Sequence, residues 1–188
     1  MKRYIVIIGL SFFAIACKKS SSNSTSLSVK LNAVINGTKY SSENTSIAIF
    51  QDHQLGCLNS KEYVVTDAGY IKNAQYDLDV YIKTNRLASD FTTKTGAYNL
   101  VPYIDGTNSC NLDISVNLSQ SINGSPYYCT LQYTGKESNI TSITKVQETS
   151  SDVLYNITGN FNCNFKSENN NAIIPVSGSF TTHVRAYK

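Results

Sequence analysis

The chain of 188 residues has no Trp, one Met, three Pro and only two His, His53 and His183. Two histidines are too few for a histidine-rich metal centre, and no H-E-x-x-H helix, G-x-S-x-G elbow or phosphate-binding glycine loop occurs. Charge is scarce as well, at 15% of the residues. Of the 16 basic residues, Lys2, Arg3, Lys18 and Lys19 sit at the very start; removing those four leaves 12 basic residues against 13 acidic. A near-neutral domain lacks the clustered Lys and Arg that phosphate contacts require, which excludes nucleic acid as a partner. What the chain does have is 13 Tyr and 7 Phe, with much Thr, Val and Ile, a composition that favours strands.

Its one long apolar run, Tyr4 to Ala16, follows Lys2 and Arg3. At about thirteen residues it falls short of the roughly 20 a helix needs to cross the hydrocarbon core, and residues 1–16 read as a cleaved secretory signal peptide. Ala14-Ile15-Ala16 ahead of Cys17, with Lys18, Lys19 and a serine-rich run behind it, resembles the bacterial lipoprotein box. The resemblance implies that Cys17 becomes the lipid-bearing first residue and that membrane lipid is a partner through it. Residues 17–26 are then a flexible tether, too polar to bury anything. An exported protein anchored in the outer membrane is expected. No acidic cluster follows Cys17, which tilts the orientation towards the periplasm.

Residues 27–188 read as one all-β domain. Leu27, Val29, Leu31, Ala33 and Ile35 share a face before the Asn36-Gly37 turn, and Tyr76, Leu78, Val80 and Ile82 alternate with Asp77, Asp79, Tyr81 and Lys83. Leu112, Ile114, Val116 and Leu118 repeat the pattern, as do Tyr127, Cys129, Leu131 and Tyr133 after Asn123-Gly124. Phe161, Cys163 and Phe165 alternate with Asn160, Asn162 and Asn164, and Ile174, Val176, Phe180 and Val184 close the chain. Short strands are expected at 47–50, 55–58 and 63–66, the last closed by Asp67-Ala68-Gly69. Asn85 to Asp90 is the sole helical turn expected, and Gly96 to Tyr103 reads as an edge strand because of Pro102. Roughly nine or ten strands without helices predict an antiparallel β-sandwich or barrel. The spacing S-V-x-L-x-x-x-I-N-G-x-x-Y occurs twice, from Ser28 and from Ser115, as two unrelated hairpins with one turn chemistry would produce.

The segments Asn36-Gly37-Thr38-Lys39-Tyr40, Gly96-Ala97-Tyr98, Gly135 through Ile143-Thr144-Lys145, Ile157-Thr158-Gly159-Asn160-Phe161 and Val176-Ser177-Gly178-Ser179-Phe180 are similar to uncharacterised lipoproteins of Bacteroidota. Many relatives carry Trp where this chain has Tyr40. The resemblance implies an all-β domain and carries over no catalytic residue.

With Cys17 assigned to lipid, Cys57, Cys110, Cys129 and Cys163 remain as disulfide candidates, an even number in an exported chain. The last three share apolar parity and predict at least one core disulfide, with buried thiols as the alternative. The nearest two are nineteen positions apart, which argues against zinc. Asp77 and Asp79 point to one side, a spacing open to two-carboxylate glycosidase chemistry or an oxygen-ligand cation site, but alternate charges on the wet face of a strand are the stronger reading. Tyr81, Tyr127, Tyr128 and Tyr133 are candidates for stacking on sugar rings. These observations predict a protein that is no enzyme and needs no cofactor or metal: a lipid-anchored envelope domain that binds or assembles with another envelope protein. A glycan-binding module using the tyrosines comes second, and a hydrolase third.

Overall fold

Two Asn-Gly pairs set hairpins from which the rest of the sheet is built. Asn36 and Gly37 take φ of 48° and 82°, and Asn123 and Gly124 take 53° and 81°. This is the left-handed pair of a two-residue hairpin turn, which Asn and Gly adopt at low cost. The computed structural model describes residues 27–44, 55–56, 62–85, 87–90, 93–102, 113–132 and 138–188. The signal peptide, Cys17, the tether, the expected strand at 47–50, His53, Cys57, Cys110 and Tyr133 lie outside the described residues.

Strands β1 (Val29–Ile35) and β2 (Thr38–Asn44) flank the first turn, and β7 (Asp113–Ile122) and β8 (Ser125–Gln132) the second. Between them come β3 (Leu55–Gly56), β4 (Glu62–Lys72), β5 (Tyr76–Asn85), a 3₁₀ turn at Ala88–Asp90 and β6 (Gly96–Val101). The chain ends in three long strands, β9 (Ser138–Glu148), β10 (Asp152–Ser167) and β11 (Ile173–Tyr187). The protein is all-β, as its alternation predicts. The repeated spacing does mark two separate hairpins, for β1 continues onto β11 whereas β7 lies between β5, β6 and β8.

The hydrogen-bonded order is β2-β1-β11-β10-β9-β6-β7-β5-β4-β3, and β8 joins β7 to the far end of β10. Strands β10, β9, β6, β7 and β8 therefore close a ring. Two wings leave it, β11-β1-β2 on one side and β5-β4-β3 on the other, and β4 packs across β11, β1 and β2. The molecule combines both expected architectures, a closed barrel at one side opening into a sandwich at the other.

Two expectations are corrected in detail. β6 is no edge strand: it lies between β9 and β7, and its pairing with β7 is parallel. Pro102 follows the strand directly, where its missing N–H costs the ladder nothing, and the sequence between β6 and β7 is long enough for the crossover that a parallel pair needs. Nor does Asp67-Ala68-Gly69 end a strand. β4 continues to Lys72 through a bulge between Asp67 and Gly69. There Gly69 takes φ of 141° and donates its N–H to Asp67 Oδ1 at 2.7 Å. A Cβ on Gly69 would collide with the Leu31 side chain, so the bulge lets β4 approach β1 closely. The fully buried Thr182 hydroxyl donates to the Asp67 carbonyl at 2.6 Å, tying β11 to β4 across the sandwich.

The core follows the period of two. Leu31 and Ile35 from β1, Leu78 and Val80 from β5, Ile114 and Val116 from β7, Ile157 and Phe165 from β10, and Val176 and Val184 from β11 are all essentially inaccessible. Each such side chain contributes about 1.5–3 kcal/mol on burial. Opposite faces of β1, β10 and β11 carry Asn, Ser and Thr, which leaves their outer surface polar.

Candidate functional site

On that outer surface the register of β2, β1, β11 and β10 aligns three rows of residues across the strands. The middle row is Tyr40–Ala33–Gly178–Phe161. Its side chains point into the sandwich, where Phe161 is buried and the Tyr40 ring meets the Tyr76 ring edge-on at 6.4 Å. Only backbone is left facing outward. The flanking rows, Lys39–Val34–Ser177–Asn162 and Ser41–Asn32–Ser179–Asn160, point outward by strand alternation. The result is an open trough of about 740 Å³ that crosses four strands, with backbone as its floor and short polar side chains as its walls.

The trough is almost uncharged. Lys39 is the one ionic residue among the described residues that line it. One row further along, Lys30 Nζ pairs with Glu43 Oε1 at 2.9 Å, and that contact holds the Glu43 carboxyl below its ordinary range. Among the described residues that line it there is no His, Asp, Glu or Cys, which leaves the Lys39 amine as the one ionisable group on its walls.

The residues singled out from the sequence are dispersed. Asp77 and Asp79 do share the outer face of β5, where Asp77 Oδ2 meets Lys72 Nζ at 3.5 Å. Burial first, then the neighbouring Asp77 and Asp67 carboxyls, pushes Asp79 up to about 6. Among the described residues no group of three His, Cys, Asp or Glu is placed to hold a metal ion. Tyr81 stands on that same face, opposite Ser115 and Asp67. Tyr127 and Tyr128 are neighbours on β8 and so point to opposite sides: Tyr128 is 76% exposed while Tyr127 is half-buried. Tyr127 and Tyr128 therefore share no single stacking platform. His183 sits on the outer face of β11 opposite Asn156, and burial lowers its pKa against a backbone hydrogen bond to Ser28.

Cys129 and Cys163 are thiols, and the described residues contain no disulfide. The expected core disulfide is not formed by these two because of register. Cys129 lies opposite Ser167 on β10, four positions beyond Cys163, which separates them by about 13 Å along the strand, twice what a disulfide spans. Cys163 points into the core as its parity predicts, and burial pushes the Cys129 thiol up to about 11.

The trough itself escaped the sequence reading, because its walls come from strands far apart in the chain. Its one local trace is the pair of Gly-x-Phe triplets, Gly159-Asn160-Phe161 and Gly178-Ser179-Phe180, which face each other in antiparallel register. Comparison with protein families, with curated proteins and with solved structures finds no match for this chain.

Proposed function

We propose that this is a non-enzymatic binding domain of the bacterial cell envelope, exported by its signal peptide and held in the outer membrane by lipid on Cys17, in the manner of the Bacteroidota lipoproteins it resembles. The single observation that supports binding over catalysis is the trough over β2, β1, β11 and β10, a preformed concavity whose described lining is mostly hydrogen-bonding side chains, with Lys39 as its one ionisable group and no carboxylate, imidazole or thiol beside it. Large, mostly preformed concave sites with a few convergent polar groups are the usual form of a binding site. The domain is read as facing the periplasm, tethered by residues 17–26 at the reach of another envelope component.

Two experiments test this. Replacing Cys17 with Ser releases the protein from the membrane fraction, since several acyl chains anchor stably where none does; a variant that stays there overturns the lipid anchor. Filling the trough by a Ser177→Trp/Ser179→Trp double substitution abolishes retention of the cross-linked envelope component that the wild-type chain captures from cells. Equal capture by both proteins places binding elsewhere.

A further inference from the structure

Resting on the reading of the trough as the binding site, we infer that its occupant is an uncharged glycan, laid across the strands. The walls present three side-chain amides, Asn32, Asn160 and Asn162, and three hydroxyls, Ser41, Ser177 and Ser179. Among the described residues, no hydrogen bond or ion pair engages any of these six side chains. Farther along the same face the polar side chains do pair with one another, as Thr141 and Thr158 do at 3.0 Å. Each amide offers two donors and an acceptor, and each hydroxyl a donor and two acceptor lone pairs. A wall that mixes donors and acceptors at zero charge complements a ligand whose own groups do both, which is the chemistry of sugar hydroxyls.

Other occupants fit less well. A peptide adding as a strand needs a free main-chain edge, but β1 and β11, the middle of the trough, are paired on both sides. An anionic polymer needs several cations, and Lys39 is the one cation among the described residues that line the trough. A lipid or amphipathic helix needs an apolar wall, and among the described residues of the two wall rows Val34 is the one apolar side chain. Geometry sets the length. Three interstrand spacings of about 4.8 Å give a trough roughly 14 Å long, and the walls stand about 7 Å apart, two residues along a strand. That is room for a short run of linked sugars rather than one. The flat floor at Ala33 and Gly178 has no side chain to block the apolar face of a ring.

The test titrates the full chain, solubilised in detergent, with linear neutral tetrasaccharides (cellotetraose, maltotetraose, chitotetraose), with their monosaccharides and with tetragalacturonate, alongside a printed array of neutral oligosaccharides. The expected result is binding of at least one neutral oligosaccharide, tighter than its monosaccharide and little changed between low and high salt. An Asn160→Ala/Asn162→Ala variant with an unaltered urea midpoint loses about tenfold or more in affinity, while Lys39→Ala loses little. Binding to tetragalacturonate alone, weakened by salt and by Lys39→Ala, overturns the inference in favour of an anionic ligand. So does an empty array. If the array is empty and the double Trp variant still abolishes envelope capture, the trough stands as a binding site and only the glycan assignment falls.

Discussion

Phe161 on β10 and Gly178 on β11 are direct cross-strand partners, and the ring of the first occupies the space a side chain on the second would need. A Cβ built on Gly178 would lie 2.6 Å from Phe161 Cζ and 2.7 Å from the Asn32 carbonyl oxygen. Two residues away the relationship is inverted: Phe180 stands opposite Gly159, whose Cβ would lie 2.8 Å from the Asn139 carbonyl. Each Phe ring thus shields the bare backbone of a Gly, a known means of keeping glycine within a sheet. The Phe161–Gly178 pair lies on the inward side of the sheet, beneath the trough.

Gly178→Ala is therefore expected to destabilise the fold by about 1–3 kcal/mol through overpacking against a ring and a backbone carbonyl that cannot both retreat. Urea unfolding of the purified protein measures it. A variant as stable as wild type would mean that the Phe161 ring moves aside freely.

Gly124→Ala isolates a different cost. Nothing lies within 4 Å of a Cβ there, but φ is 81°, so the penalty is backbone strain alone, about 1–2 kcal/mol. Replacing Gly124 with Asn, which tolerates the left-handed region, should recover part of it. The urea midpoints of the two variants check the ranking.

How far the sequence reached can be judged from these same residues. Asn36-Gly37 and Asn123-Gly124 announced their hairpins because turn chemistry is local. The alternation of β5, β7, β10 and β11 placed Leu78, Val116, Phe165 and Val176 in the core, where they are buried. Strand ends and neighbours were harder. Asp67 to Gly69 looks like a turn in sequence and becomes a bulge only because Leu31 and Thr182 pack against it from other strands. The trough depends on Asn32 lying beside Ser179 and Ser179 beside Asn160. No period within one strand encodes that register.

The thiols give a third test. Burial first and Glu168 second push Cys129 up to about 11, and Cys163 is 2% exposed in the core. Thiolate is the reactive form, so iodoacetamide at pH 8 should leave both residues unmodified in the native protein and alkylate both on unfolding without reductant. Peptide mapping that finds either in a disulfide, to Cys57 or Cys110 for instance, would contradict the thiol assignment.

The last prediction concerns Asp79 and pH. The half-buried carboxyl is raised to about 6, by burial before its neighbours Asp77 and Asp67, with Lys72 pulling the other way. An unfolded Asp titrates near 3.9, so between about pH 4 and 6 the native state holds a proton that the unfolded state has released. By linkage, stability contributed at this site is present below about pH 4 and falls as pH rises through about 6. Asp67, also raised by burial against the hydrogen bond from the Gly69 N–H, acts in the same direction. Asp79→Asn removes the ionisation and keeps the shape. The variant should therefore match wild type below pH 4 and exceed it above pH 6, by about 1 kcal/mol once solvent screening of a half-exposed group is allowed for. Urea midpoints at pH 4 and pH 8 decide it: a variant less stable than wild type at pH 8 would mean that ionised Asp79 is held by a favourable contact, and that the carboxyl row on β4 and β5 is not a source of repulsion.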